Sequence, residues 1–193
     1  MSPQAEVKTS ARERLLAAAN ELFYDEGIQT VGIDRIIERA GVAKASLYNT
    51  FGSKEGLIRG YLESRQQRTA GRIGRALERY DTPRERLLSV FEAQAELFGE
   101  PGFHGCAFAS ASAEARPGSA ADEATAAYRS WLRNLFTELA EQAGARDPAT
   151  LAQQLHLLYD GAGLTARLDH DASTGTAARA AASALLAAAT SNP

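Results

Sequence analysis

The sequence predicts an all-α protein with an N-terminal three-helix helix-turn-helix domain followed by a larger helical domain. Apolar residues recur at helical spacing over most of its 193 residues. Start signals built from serine, threonine, aspartate and proline, and stop signals built from glycine, divide this pattern into separate helices. No segment alternates apolar and polar residues between hairpin turns, and no repeat of fixed period is visible. We expect a division into two parts, residues 1–55 and 56–193.

Two helices are predicted at the start of the chain. Ser10 followed by Glu13 is a capping-box pattern, and apolar residues recur behind it as far as Gly27. We expect Gly27 to end this first helix in a left-handed conformation. A second, shorter apolar repeat begins at Ile33 and ends before Gly41. The turn after Gly41 is so brief that the next helix must cross steeply, which is typical of a helix-turn-helix.

A third short helix is predicted over residues 43–50. Leu47 and Phe51 lie four residues apart, so they can pack inward together. Any single residue on the remaining faces of this helix would more commonly be exposed to solvent without a binding role. Their grouping on so short a helix nevertheless favours contact with DNA, and the residues concerned are Lys44, Ala45, Ser46, Tyr48 and Asn49.

Each of these side chains has a distinct chemical role to offer. Lys44 can donate to guanine or to a phosphate, and Asn49 can make a bidentate pair with adenine. Ser46 is short enough to lie against a base edge or the DNA backbone. Tyr48 is suited to donate its hydroxyl to a phosphate, as is the ammonium of Lys54 just beyond the third helix.

Residues 12–61 resemble the DNA-binding domain of the tetracycline-repressor (TetR) family. The resemblance lies in an amphipathic first helix, then ID-R-IIERAGVAKASLY, then F-x-SKEGL. It implies a DNA-binding domain in residues 1–55 and an all-helical effector-binding and dimerisation domain in residues 56–193. Gly32 departs from the serine or threonine of many members and has no hydroxyl for a phosphate. The positions implied for DNA contact are Lys44, Ala45, Ser46, Tyr48, Asn49, Thr50 and Lys54.

The rest of the chain is predicted to form further helices. Thr82 with Pro83, and Asp147 with Pro148, are helix-start signals. Glycines interrupt the pattern at residues 99–102, and residues 171–175 precede an alanine-rich last helix. The other helices are expected at about residues 106–115 and 119–143.

The resemblance also implies a homodimer formed through the last two long helices of each subunit. Gly161, Ala162 and Gly163 in one helix and the alanines of the other permit close helix approach. The alternative is that these helices pack only within one subunit. A dimer fits a helix-turn-helix protein better, because two half-sites one turn of DNA apart increase specificity. The expected DNA partner is therefore a palindromic double-stranded operator.

Aromatic residues of the larger domain suggest a ligand cavity. They surround a glycine-rich break and lie on neighbouring helices, where they can enclose an apolar space. We expect the effector to be a hydrophobic or aromatic small molecule. Its binding would release this protein, acting as a repressor, from its operator. The alternative is ordinary core packing. The candidate ligand-binding residues are Phe91, Phe98, Phe103, His104, Cys106, Phe108, Tyr128, Trp131, His156 and Tyr159.

Cys106 offers a second sensing hypothesis, in which modification of its thiol releases DNA. His104 and a helix start at Cys106 could stabilise a thiolate, whereas no Lys or Arg lies nearby in sequence. A buried, inert thiol is the alternative. A third hypothesis is a constitutive DNA-binding protein without an effector.

Neither catalysis nor a cofactor is predicted. No phosphate-binding glycine loop, serine elbow or metal-ligand spacing occurs in the sequence. A single cysteine also leaves too few thiolates for a structural zinc site. We expect no enzyme, no metal and no cofactor.

Charge is divided unevenly along the chain. Residues 1–86 carry 15 Lys and Arg against 12 Asp and Glu, a net +3, whereas residues 87–193 carry 6 against 12, a net −6. Six arginines lie on the helix expected after Ser53. We interpret the later ones as solubilising residues with some pairing within the helix to Glu63 and Glu78. The alternative is a basic field that helps steering toward DNA, which we expect only near the start of this helix. The start of the chain lacks an apolar signal segment, and no run approaches the ~20 apolar residues of a membrane span. We expect a cytoplasmic protein.

Overall fold

A computed structural model describes residues 9–191, and within this range the backbone forms nine α-helices and no strands. The predicted all-α class is confirmed. Residues 1–8, where the sequence lacks an apolar signal segment, lie outside the described residues. In chain order the helices are α1 (Ala11–Glu26), α2 (Ile33–Ala40), α3 (Lys44–Phe51), α4 (Lys54–Leu77), α5 (Pro83–Phe98), α6 (Ala107–Glu114), α7 (Ala120–Gln142), α8 (Pro148–Asp169) and α9 (Thr174–Thr190).

Local signals account for the start of α1. The Ser10 hydroxyl accepts from the backbone N–H of Glu13 at 3.2 Å, and the Glu13 carboxylate accepts from the Ser10 N–H at 2.7 Å. The predicted capping box is therefore present. Gly27 ends the helix at φ +92° and ψ 156°, which is a positive φ but not the left-handed helical conformation that we predicted. The extended ψ lets the chain leave the helix and bury Ile28.

Helices α1, α2 and α3 pack together as the predicted helix-turn-helix domain. Gly41 adopts the left-handed conformation, at φ +60° and ψ 44°, directly after α2. Ala43 precedes the first residue of α3, so the two helices are joined by three residues. Ile36 of α2 and Leu47 of α3 are both fully buried, and they contribute to the core that holds the crossing in place.

The remaining helices form a larger bundle. Helix α7 packs against α8, α5 against α9, and α8 against α9, while α6 covers α7. Phe91, Leu132 and Phe136 are fully buried at its centre. Helix α4 contacts α1 and α3 as well as α5 and α7. The predicted division at residues 55 and 56 thus falls in the first turn of a helix that packs against both parts.

The last helix begins earlier than predicted. We assigned Thr174 and Gly175 to a break, whereas both belong to the first turn of α9. Gly175 is buried against Ala95 of α5, and a β-carbon at this position would overlap that of Ala95. Close packing between α5 and α9 therefore outweighs the low helix propensity of glycine.

Within residues 9–191, none of the helices combines the length and the apolarity that crossing a bilayer requires.

Candidate DNA-binding surface and ligand cavity

Helix α3 is attached to its domain by two side chains. Leu47 is fully buried, and the half-buried Phe51 packs against the core. Gly60 of α4 makes room for Phe51, since an added β-carbon would lie 3.0 Å from the ring. An added β-carbon at Gly56 would overlap the carbonyl oxygen of Phe51. The two glycines therefore set how closely α3 approaches α4.

The outer face of α3 carries most of the predicted DNA-contact residues. Tyr48 is 45% exposed, which makes it one of the few large apolar side chains in solvent. Ser46 is half-buried, and its carbonyl accepts from the Thr50 hydroxyl at 2.6 Å, so that hydroxyl is occupied within the helix. Three further predicted residues are exposed beside Tyr48, namely Lys44, Ala45 and Asn49.

Lys44 forms an ion pair with Asp34 of α2, with Nζ and Oδ1 2.9 Å apart. The hydrogen bond to this carboxylate, and then its charge, raise the pKa of Lys44. Both side chains are exposed, so solvent and salt screen their attraction. The pair holds Lys44 at the start of α3, and a DNA phosphate can compete for the same ammonium.

Lys54 lies at the start of α4 and is partly buried. Its Nζ is 3.5 Å from the carbonyl oxygen of Gln29 and 6.0 Å from the centre of the Phe23 ring. Burial lowers the pKa of Lys54, while Glu114 and Glu55 oppose that shift. The ammonium has three N–H donors, so the contact with Gln29 does not use all of them.

A cavity of about 160 Å³ lies in the larger bundle. It is lined by α4, α5, α7 and α8, by the segment that joins α5 to α6, by the start of α6 and by Tyr24 of α1. Part of its wall is a stack of Phe108 on Tyr128, with ring centres 3.8 Å apart and an interplanar angle of 2°. Most of the enclosing side chains are aliphatic or aromatic. Six of the ten predicted ligand-binding residues line it: Phe98, Phe103, Cys106, Phe108, Tyr128 and Tyr159.

Phe91 and Trp131 do not line this cavity. Phe91 is fully buried in the core, where its ring centre lies 5.8 Å from that of Phe136. Trp131 is half-buried behind the wall, with its ring centre 5.8 Å from that of Tyr128. Both residues support the wall from outside.

The two predicted histidines also lie outside the cavity wall. His104 stacks on Tyr24 with ring centres 5.5 Å apart, and its Nδ1 lies 3.3 Å from Oδ1 of Asp25. His156 is buried on α8, with Nε2 3.6 Å from Oδ2 of Asp160. Burial lowers the pKa of His156, although the Asp160 charge opposes this. Both histidines therefore lie beside other side chains of the protein and not at the cavity.

Cys106 lies at the cavity and directly before α6. Burial raises the pKa of its thiol, and the backbone N–H groups of Ala109 and Phe108 only partly oppose that effect. A thiol with a raised pKa is mostly protonated at neutral pH and reacts slowly. This is the opposite of what the thiol-modification hypothesis requires.

Comparison with known proteins identifies the family. A sequence model described as bacterial regulatory proteins, tetR family, matches residues 15–61. Over nearly its whole length the chain is similar to a TetR-family transcriptional regulator from Streptomyces coelicolor, with 32% identity and a TM-score of 0.88. The match covers 94% of this chain and 96% of that one. The chain belongs to the TetR family.

Two further relatives are similar over less than half of this chain. The HTH-type transcriptional activator FasR of Mycolicibacterium smegmatis is 38% identical over 82 residues, which is 42% of this TetR-family chain and 37% of FasR. The HTH-type transcriptional repressor KstR2 of the same species is 32% identical over 87 residues, or 45% and 42% of the two chains. The matches thus span about two-fifths of these relatives. This TetR-family chain is a helix-turn-helix transcriptional regulator and not an enzyme.

The cavity of this TetR-family chain has a polar wall that the sequence analysis missed. Arg65, Arg68 and Arg72 of α4 line it, together with Gln94 of α5 and Glu100 of the following segment. The three arginines are spaced three and four residues apart, which places them on one face of α4. That spacing was the available signal, and we interpreted it as a solvated face.

The arginines of α4 also pair differently from our prediction, which was wrong. We expected partners at Glu63 and Glu78 within the same helix. Among the described ion pairs, two arginines of α4 and Arg79, which follows the helix, reach acidic residues on other elements instead, because packing brings those residues closer than the helix itself does. The pairs are Arg59 with Glu123 at 2.9 Å, Arg72 with Glu100 at 3.0 Å, and Arg79 with Glu96 at 2.6 Å.

Proposed function

We propose that this TetR-family regulator is a homodimeric repressor that a hydrophobic or aromatic small molecule in the cavity releases from its operator. One observation carries the proposal. The hydroxyl of Tyr24 in α1 donates to the Gly105 carbonyl at 2.8 Å and accepts from the backbone N–H of His104 at 2.9 Å. Gly105 lines the cavity. A ligand that displaces the α5–α6 segment therefore also displaces the first helix of the DNA-binding domain.

The DNA contacts that we propose follow from the exposed face of α3. Lys44 pairs with guanine or a phosphate, and Asn49 pairs with adenine. Tyr48 donates its exposed hydroxyl to a phosphate. Ser46, Ala45 and Thr50 lie close to the groove wall, and Lys54 adds a phosphate contact from the start of α4.

A second copy of the chain is the partner that we propose for α8 and α9. Leu157, Leu164 and Leu168 are 65%, 57% and 66% exposed. They are spaced seven and four residues apart, so they form one apolar stripe along α8. Exposed alanines occur along α9 as well, and small residues allow helices from two subunits to approach closely. A symmetric dimer covers this stripe and presents two copies of α3 to successive major grooves.

The switch that we propose connects two parts, residues 1–55 for DNA and residues 56–193 for effector and dimer. Effector binding favours a dimer in which the two α3 helices are wrongly spaced for the operator. Such a shift requires different ligand affinities in the two states, and a coupling of about 1–3 kcal/mol is typical. Because the proposed partner is operator DNA, we expect the protein to act in the cytoplasm.

Selection from a random duplex library tests the DNA-binding part of the proposal. Purified protein is expected to enrich a palindrome and to prefer it over scrambled competitor at several salt concentrations. A lack of preference for any palindrome would contradict it. A promoter reporter carrying the selected operator then separates repression, in which the protein lowers expression, from activation.

A screen of apolar compounds by thermal denaturation tests the effector part. A ligand that binds the folded state must raise the unfolding midpoint, and it must also weaken operator binding. Compounds that bind without affecting operator affinity would leave a DNA-binding protein whose cavity has no regulatory role.

A further inference from the structure

The cavity is apolar on most sides but positively charged along α4. Arg65, Arg68 and Arg72 line it, and Glu100 is the one acidic residue among the lining side chains of the described chain. The lining therefore has two formal positive charges in excess. Arg68 is exposed to solvent, whereas Arg65 and Arg72 are partly buried. Charge beside an apolar space is unfavourable unless an anion or water compensates it.

Two of these guanidinium groups have buried nitrogens without a partner among the described residues. Arg65 donates from Nη2 to the Asn20 carbonyl at 3.0 Å, but its Nε has no acceptor. Arg72 pairs through Nη2 with Glu100 at 3.0 Å, but its Nη1 has none. Buried donors in proteins are nearly always satisfied, so both nitrogens call for an acceptor in the cavity, which a ligand can supply.

Gln94 provides an independent observation on the opposite helix. Its side chain lines the cavity and the residue is only 6% exposed. Its Nε2 donates to the Tyr159 carbonyl at 2.8 Å, and a carbonyl can only accept, so the orientation of the amide is determined. Oε1 is then a buried acceptor with no partner in the described chain. It calls for a hydrogen-bond donor on the ligand.

The remaining lining limits the body of the ligand. Phe98, Phe103 and Phe108 present aromatic surface, and Ile73 and Leu97 add aliphatic surface. A dry cavity of about 150 Å³ is known to accept benzene, and the volume here is about 160 Å³. A ring or a short alkyl chain fits this space.

We propose that the effector is a small amphipathic carboxylic acid that also carries a hydroxyl or N–H donor. Its carboxylate accepts from Arg65 and Arg72, its donor reaches Oε1 of Gln94, and its apolar body lies against the phenylalanines. The inference rests on the proposed regulatory cavity and specifies the chemistry of its ligand.

Arg65 also connects this site to the DNA-binding domain. Its guanidinium carbon lies 3.8 Å from the centre of the Tyr24 ring, and its Nη2 is bonded to Asn20, both in α1. A carboxylate that accepts from Nε therefore binds the same guanidinium that contacts α1 through Nη2 and the Tyr24 ring. The charge of the ligand is therefore the property that α1 detects.

Matched acids and amides test the proposal on the full-length protein. The probes are 4-hydroxybenzoate, 3-phenylpropanoate and hexanoate, each with its primary amide, and benzoate as the analogue of the first acid without the hydroxyl. Calorimetric titration measures affinity, and fluorescence anisotropy of a selected operator measures release. At least one acid is expected to bind about tenfold or more tightly than its amide and to release the operator. We also expect 4-hydroxybenzoate to bind more tightly than benzoate.

Two variants locate the effect, and a third controls for charge. Arg72→Gln is expected to reduce acid affinity about tenfold while leaving amide affinity unchanged. Arg65→Lys keeps the charge but removes Nε, and is expected to weaken acid binding and operator release together. Arg75→Gln removes the same charge from an exposed position of α4 outside the cavity lining and should retain wild-type affinity.

The outcomes separate this inference from the proposed function. If amides bind as tightly as acids and release the operator, the carboxylate assignment is wrong while the regulatory cavity stands. If no probe binds, the assignment is also overturned, and the wider apolar screen then decides whether the cavity has any effector. Equal losses of acid binding in the Arg72 and Arg75 variants would show that the effect comes from net charge alone. The proposed carboxylate site would then be wrong.

Discussion

Replacement of Leu164 by glutamate should dissociate the proposed dimer. Leu164 is 57% exposed at the centre of the stripe on α8. Full burial of a leucine side chain is worth about 1.5–3 kcal/mol, so covering the exposed part gives about 0.9–1.7 kcal/mol. Because the dimer is two-fold symmetric, both copies of Leu164 contribute this burial free energy, which gives about 1.7–3.4 kcal/mol per dimer. The dimer dissociation constant should therefore rise by about 20- to 300-fold, before the cost of burying two carboxylates is added.

Sedimentation velocity over a concentration series measures that constant directly. A matched control is Ser130→Glu, which places the same charge on an exposed position of α7 and should leave the dimer unchanged. Operator affinity should fall in parallel for the Leu164 variant, because a single half-site then contributes alone. A dissociation constant within twofold of the wild type would refute dimerisation through this stripe.

Three other predictions concern α3, α4 and the thiol. Gly56→Ala should lower the free energy of unfolding by about 1–3 kcal/mol and weaken operator binding, because its methyl group would overlap a carbonyl oxygen of α3. Denaturation and operator titration check this, and Gly74→Ala, which has open space at its β-position, should not destabilise. Tyr48→Phe should weaken binding to all operators, whereas Asn49→Ala should remove about 1–3 kcal/mol of preference at one base; normal selection profiles for both would contradict these roles. Alkylation of Cys106 at neutral pH should be slower than that of an unfolded-peptide thiol, since its raised pKa leaves less thiolate, and equal or faster reaction would exclude an inert thiol.

The helix boundaries were predictable where a short-range signal controls them. The capping box at Ser10, the proline at the start of α5 and the left-handed Gly41 depend on residues within a few positions of each other. The start of α9 was not predictable in this way. Gly175 is helical because it is buried against α5, and the contact with Ala95 comes from a distant part of the sequence.

The lining of the cavity was predictable only in part, because aromatic side chains indicate burial and arginine side chains do not. Aromatic residues at helical spacing point to a buried apolar region, and six of the predicted residues line the cavity. Arginine gives no such indication, because its long stem and charged end suit both solvent and a polar cavity wall. Arg65 and Arg72 differ from Arg75 only in the neighbours that the fold brings to each face of α4.

By itself the sequence determined the all-α class, the position of the helix-turn-helix and the outward side chains of α3. These follow from periodicity and from caps, which act over one or two helical turns. Only the tertiary structure decided which arginines of α4 face the cavity, that Gln94 lines it with an unpaired oxygen, and that Tyr24 joins it to α1. Each of these depends on contacts between residues far apart in the chain, and the packing of whole helices establishes such contacts.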